Sequence, residues 1–168
     1  MATKNRPATE LPEPVLVITR GFDAPRELVW EAWTWPEHFV RWWGPKGFTV
    51  PFCKIDLRPG GVMPFCMRSP EGRNFWNKEV FREVVEPERL VSTDSFSDEE
   101  GNLLQPAHYG MSPEWPSETL LTVTFAEHEG KTKLTLQQTV LESVAERHGA
   151  RQGWTETLDR LAAYLARA

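Results

Sequence analysis

Gly153 to Leu165 reads GWTETLDRLAAYL. Trp154, Leu158, Leu161 and Leu165 recur at i, i+4, i+7 and i+11, a single apolar stripe, while Glu156, Asp159 and Arg160 fall off it. One face of this helix must be buried, and the residues before it say against what. VLVITRGF (15–22) alternates and is rich in β-branched residues, a strand. FTVPFCKIDL, GVMPFCMR, NFWNKEVFREVV, RLVSTDSF, ETLLTVTFAE and KTKLTLQQTV follow, separated by RPGG, SPEGR, EPE, a long polar loop and HEGK. Consecutive strands joined by short turns make an antiparallel sheet, and a sheet with one apolar face needs the helix as its cover. The fold class is α+β.

Between the first strand and this run lie two short helices. DAPRELVWEAW places Pro25 in a first turn, with Asp23 or Ala24 as cap. PEHFVRWW starts at Pro36 and ends at Gly44 and Pro45. Five of the eight tryptophans, Trp30, Trp33, Trp35, Trp42 and Trp43, fall in this segment. Most of that surface belongs in a core, because five exposed indoles would form an aggregation-prone patch. Neighbours on a helix point about 100° apart, so one of Trp42 and Trp43 faces the core and the other a rim. Trp42 enters the candidate binding set, and Trp35 is expected to be the most exposed.

The chain has 168 residues, 26% of them charged, and a net charge of −5. That suits one domain with a real core and argues against a nucleic-acid groove, which needs a basic stripe. No apolar run approaches the roughly 18 residues of a membrane span, so no membrane insertion is expected. Residues 1–14 read as a polar, proline-rich flexible leader without a secretory signal, and 15–168 as one domain. Two cysteines make no disulfide framework, and the expected location is cytoplasmic. With Pro59 and Gly60 central in the RPGG turn, Cys53 would face Cys66 across the hairpin, both as thiols.

Chemistry is sparse at the level of motifs. His38, His108, His128 and His148 form no metal-binding pattern, and there is no phosphate loop, nucleophile elbow or dinucleotide fingerprint. No metal, cofactor or catalytic residue is assigned.

FDAPRELVWEAWT, PEHFVRWWGPKGF, DLRPGG, EPERLVSTDSFSDEEGN, HYGMSPEWP and GWTETLDRLAAYL, in this order, resemble the START-like (SRPBCC) superfamily. More narrowly, they resemble its subgroup homologous to the activator of the ninety-kilodalton heat-shock chaperone ATPase. The resemblance implies a helix-grip: a curved antiparallel sheet wrapped around a long C-terminal helix, with an apolar cavity between them. Two departures stand out. Trp35 occupies a position where relatives commonly have a helix-capping Asp, and Glu79 lies where many have glycine. The eukaryotic activator carries a further N-terminal domain that fourteen leader residues cannot replace, which weakens a chaperone contact as the expected function.

The implied cavity and strand alternation together name the ligand-binding candidates: Trp42, Met63, Phe65, Met67, Phe81, Glu83, Met111, Trp115, Val123, Gln138 and Trp154. Methionines make adaptable walls, and Glu83 and Gln138 would orient a ligand. The long loop 97–117 carries His108, Tyr109, Met111 and Trp115 and is the expected gate, though Tyr109 and Trp115 would equally serve to pin it. The expected partner is a small apolar or amphipathic molecule, bound by a monomer or homodimer. The alternatives are a cyclase- or dehydratase-type enzyme in the same cavity, with Glu83 and His108 or His148 as acid and base, and a chaperone-interacting domain.

Overall fold

The computed structural model describes residues 13–167. The strands are β1 (Val15–Phe22), β2 (Thr49–Cys53), β3 (Val62–Arg68), β4 (Asn74–Val85), β5 (Arg89–Ser97), β6 (Glu118–His128) and β7 (Lys131–Leu141). The helices are α1 (Arg26–Thr34), α2 (Pro36–Trp42), α3 (Glu142–Arg147) and α4 (Ala150–Ala166). All seven strands form one antiparallel sheet in the order β1-β7-β6-β5-β4-β3-β2. Strand β1 crosses to the far side because α1 and α2 carry the chain over one end before β2 begins. The result is the helix-grip that the resemblance implied, in agreement with the strand order and the apolar stripe. No helix among the described residues is long and apolar enough to cross a membrane. Residues 1–12 of the expected leader lie outside the described residues; Glu13 accepts hydrogen bonds from the Ser143 backbone and hydroxyl at the start of α3.

The stripe of α4 meets the sheet as expected. Leu158 and Leu161 are fully buried, and Trp154 and Leu165 pack against the core from its edges. The facing strands supply Leu121, Val123 and Phe125 from β6 and Leu134, Leu136 and Gln138 from β7, all buried.

Helix α1 begins one residue later than expected, with Pro25 itself as N-cap and no side-chain cap. Helix α2 also lacks one: Trp35 is its N-cap, and the Thr34 hydroxyl donates back to Trp30 O instead. Both helices are held by what they bury. Trp30, Trp33, Phe39, Trp42 and Trp43 are all buried, with Trp33 edge-on to Trp42 (centroids 5.1 Å apart) and Phe39 stacked on Trp43 (4.6 Å). Trp35, at 44% exposure, is the most exposed of the five.

The expected pairing of Cys53 with Cys66 is overturned. The register sets Phe52 opposite Cys66 and Cys53 opposite Phe65, one residue off. The turn itself forms as read: Gly61 N–H donates to Arg58 O at 2.8 Å, with Gly60 at φ +82°. What shifts is the chain before it. Arg58 N–H bonds Asp56 O, and Gly60 N–H and Gly61 O bond the backbone of Phe81 on β4. The Asp56 carbonyl comes so close to Gly61 that a Cβ there would sit 1.9 Å from it. The loop thus takes extra residues out of the ladder, and both cysteines remain unbridged thiols.

Candidate functional site

Toward α1 and α2 the interior is filled. Trp33, Phe39, Met63, Phe81, Leu121 and Val123 close around a void of only about 10 Å³, room for no more than one water. Toward the other end the sheet and α4 diverge and leave a cavity of about 410 Å³. That falls within the range of small-molecule sites, roughly 300–1,000 Å³.

Its walls are mostly aromatic. Trp43, Phe65, Met67 and Phe96 line it with Trp154 from α4, and Trp43 meets Trp154 edge-on at 5.4 Å. Gly153, on the same helix face, exposes only backbone there and leaves space where a larger side chain would protrude. One lip is Trp43–Pro45 with Phe48. Arg160 holds it by donating to the carbonyls of Trp43 (3.2 Å), Gly44 (2.9 Å) and Pro45 (3.0 Å). Gly44 sits at φ +102°, and a Cβ there would meet Phe48 Cβ at 3.0 Å, so this lip fits together only around glycine. The opposite lip is Met111 and Trp115–Ser117, with His148 edge-on to Trp115 at 5.7 Å.

The floor is polar. Glu79 on β4 pairs in register with Asp94 on β5, which in turn faces Thr119 on β6; Met63 flanks Glu79 on β3. Glu79 lies behind that floor, buried against the small void with Ser92, whose hydroxyl donates to it at 2.8 Å. Asp94 is half-buried and lines the cavity, yet its Oδ1 is closed off from solvent without a hydrogen-bond partner. Gln138 donates to Thr119 Oγ1 at 3.3 Å and accepts from Trp154 Nε1 at 3.1 Å, which fixes its amide and ties α4 to the sheet. Neither Glu79 nor Asp94 forms a salt bridge among the described residues.

Burial raises both carboxyls. Glu79 is pushed up to about 7 by desolvation, opposed by the Ser92 bond. Asp94 is raised well above its ordinary value by desolvation first and by the Glu79 charge second. Two acids side by side in an apolar site cannot both ionise cheaply, so the pair holds at least one proton near neutrality. Cys53, behind Glu79, is pushed up to about 12 by burial and by that carboxylate, and stays a thiol.

The candidates read from sequence divide cleanly. Phe65, Met67, Met111, Trp115, Gln138 and Trp154 meet at the cavity. Met63, Phe81 and Val123 lie around the small void, and Trp42 is fully buried with its indole N–H on Ala32 O at 2.9 Å. The rim residue of the adjacent pair is therefore Trp43, because α2 turns Trp42 into the core. Glu83 is not interior at all. A β-bulge between Phe81 and Glu83 flips the alternation, and Glu83 pairs with Arg89 at the surface. His108 is exposed, so the Glu83–His108 pairing does not form; His148 does reach the cavity. Tyr109 pins the loop, donating to Ser97 O at 2.7 Å and accepting from Trp76 N–H at 3.2 Å. Asn77, Glu79 and Asp94 are not among the sequence candidates, although Glu79 stands out as a charge in place of glycine, and the lining residues Phe96 and Thr119 are missed with them. Counting backward by twos from Phe81, rather than forward, reaches Glu79 and Asn77, and counting from Leu90 through Ser92 reaches Asp94.

Comparison with known proteins places this arrangement. No curated protein matches the chain. Solved structures do: a protein of Mycobacterium smegmatis (26% identity, 90% of each chain covered, TM-score 0.74), one of Nitrosomonas europaea (26%, 94% of this chain and 97% of the other, 0.76), and one of Arthrobacter aurescens (26%, 90% and 86%, 0.77). The family described as Activator of Hsp90 ATPase homolog 1-like protein matches residues 23–166, which span both helices of the plug, the whole cavity and α4. The chain belongs to that family.

Proposed function

We propose that this protein binds a small amphipathic molecule in the cavity between the sheet and α4, with its apolar body against the aromatic walls and its polar end at the floor of Asp94, Thr119 and Gln138. One observation carries the reading: a cavity of about 410 Å³ that a domain with so tightly packed an opposite end leaves unfilled. Unfilled apolar volume is costly, on the order of 24 cal/mol per Å³, and solvent relieves only part of that in an aromatic-walled site. The two thiols, unbridged, fit a reducing compartment, and the proposed location is the cytoplasm. An uncharged naphthalene dye should bind saturably with micromolar or better affinity. Met67→Trp should fill the cavity and weaken that binding while the fold persists. Unchanged binding by folded Met67→Trp protein would place the site elsewhere.

A second reading uses the same cavity for acid–base chemistry, and the carboxyl pair favours it. An acid held near neutrality beside a ligand is what general catalysis requires. Asp94, with Glu79 behind it, takes the role that sequence reading gave to Glu83.

A further inference from the structure

Resting on that binding reading, we infer that the cavity selects a cationic amine: a protonated primary or secondary nitrogen on an apolar body, its N–H groups donating to Asp94. Three features converge on this class. First, Asp94 lines the cavity floor with its Oδ1 lacking a donor, and a second carboxyl, Glu79, lies behind it on the adjacent strand. Second, no Lys, Arg or His among the described residues pairs with either acid. The charge is left for something else to compensate. Third, Trp43, Trp154, Phe65 and Phe96 surround the space above the floor, and aromatic faces attract cations. Once the floor has lost its proton, an anionic head is repelled by it and a neutral head leaves its charge uncompensated. The protein has already desolvated its carboxyls, so only the ligand's own charge must still be stripped of water.

Each element packed around the floor contributes its own groups. From β3 comes Met63, from β6 Thr119, from β7 Gln138, and from β2 the Cys53 thiol, none of them positively charged. From α4 come Trp154 and Thr157, while the Arg160 guanidinium is tied to the lip carbonyls. His148, at the mouth, is the one histidine facing the cavity among the described residues. An amine draws the pair toward ionisation and expels a proton. Amine affinity should therefore rise as pH climbs through the range where the floor loses its proton. The titration is repeated with His148→Asn, which removes the imidazole at the mouth.

The test is displacement of the bound naphthalene dye by decylamine, 1-decanol and decanoate, below their aggregation concentrations. At pH 8 decylamine should bind about tenfold or more tighter than 1-decanol, and decanoate weakest, as a charge-assisted hydrogen bond requires. Asp94→Asn should abolish the amine preference, bringing decylamine and 1-decanol to within about twofold of each other. Between pH 5.5 and 8 the amine advantage should grow in both the unmodified protein and His148→Asn. If 1-decanol binds as tightly as decylamine at pH 8, or the advantage is flat with pH in His148→Asn, the amine assignment is overturned while the cavity reading stands. If neither the dye nor any probe binds, the cavity reading itself fails. The pH titration needs no floor variant, so misfolding of Asp94→Asn would leave the test intact.

Discussion

The two ends of this grip are built from similar residues to opposite effect. At one end Trp33, Phe39, Met63 and Phe81 close on each other around about 10 Å³; at the other Trp43, Trp154, Phe65 and Phe96 stand apart around about 410 Å³. Composition does not explain the difference, because indoles and phenyls dominate both. Polar content on the sheet does. The closed end presents Leu90, Leu121, Val123 and Phe81, its one polar pair, Glu79 and Ser92, closed on itself by a hydrogen bond, whereas the open end presents Asn77, Asp94, Thr119 and Gln138. Apolar faces pull helix and sheet together. Polar groups must keep partners, and here they hold the surfaces apart at the distance those partners set.

The largest expected effect breaks the closed end. Trp42→Ala removes a fully buried indole and its hydrogen bond to Ala32 O, and should cost roughly 3–5 kcal/mol in urea unfolding. Met67→Ala, on the cavity wall, should cost only about 1 kcal/mol, because part of that side chain already faces open space. Equal losses at the two positions would mean the ends are equally well packed and the cavity is not a feature of the folded state.

How far the sequence could be read follows the same division. All seven strands and α4 were legible because alternation and the i, i+4, i+7 stripe survive wherever one face is uniformly apolar. Leu121, Val123, Leu134 and Leu136 needed nothing more. The cavity floor was not legible for the corresponding reason. Its inward residues are charged or amidated, so a period-two reading assigns them to solvent unless a neighbour such as Phe81 fixes the phase. The bulge after Phe81 made that phase wrong in one direction only, which is why Glu83 was chosen and Glu79 passed over. Register was hidden too, since the contact of Gly60 and Gly61 with Phe81 is between residues about twenty apart.

An intermediate effect concerns pH. Glu79 is raised in the folded state, so over its titration range the folded protein binds more protons than the unfolded chain. Stability from this group is then fully present below its ordinary value of 4.5 and is lost as pH rises through about 7. Asp94 acts in the same direction. Glu79→Gln keeps an acceptor for Ser92 and cannot ionise, so its unfolding free energy should fall less between pH 4.5 and 8. At pH 8 the variant should gain on the order of 2 kcal/mol over the unmodified protein. Parallel stability profiles for the two proteins would show that the floor is better solvated than its geometry indicates.

The smallest expected effect probes the outer edge of the closed end. Trp35 stands at the N-cap of α2 in an extended conformation (φ −97°, ψ 122°) that any good capping residue adopts, yet no side chain caps the helix. Trp35→Asp would supply a carboxylate to an unpaired N–H of the first turn and place negative charge at the helix N-terminus, together worth about 1 kcal/mol. Against this stands the loss of the indole, which lies 5.4 Å from the His38 ring and is 44% exposed. A half-exposed contact of that kind contributes only a few tenths of a kcal/mol, by the scale of ordinary surface substitutions. The net should be a gain of roughly 0.5 kcal/mol, read as a higher urea midpoint with an unchanged slope. A loss of that size instead would mean that Trp35, through His38 and its bond to Tyr164 on α4, extends the packed plug to the surface. The closed end would then owe its stability to six linked aromatic side chains along α1 and α2 rather than to the buried five.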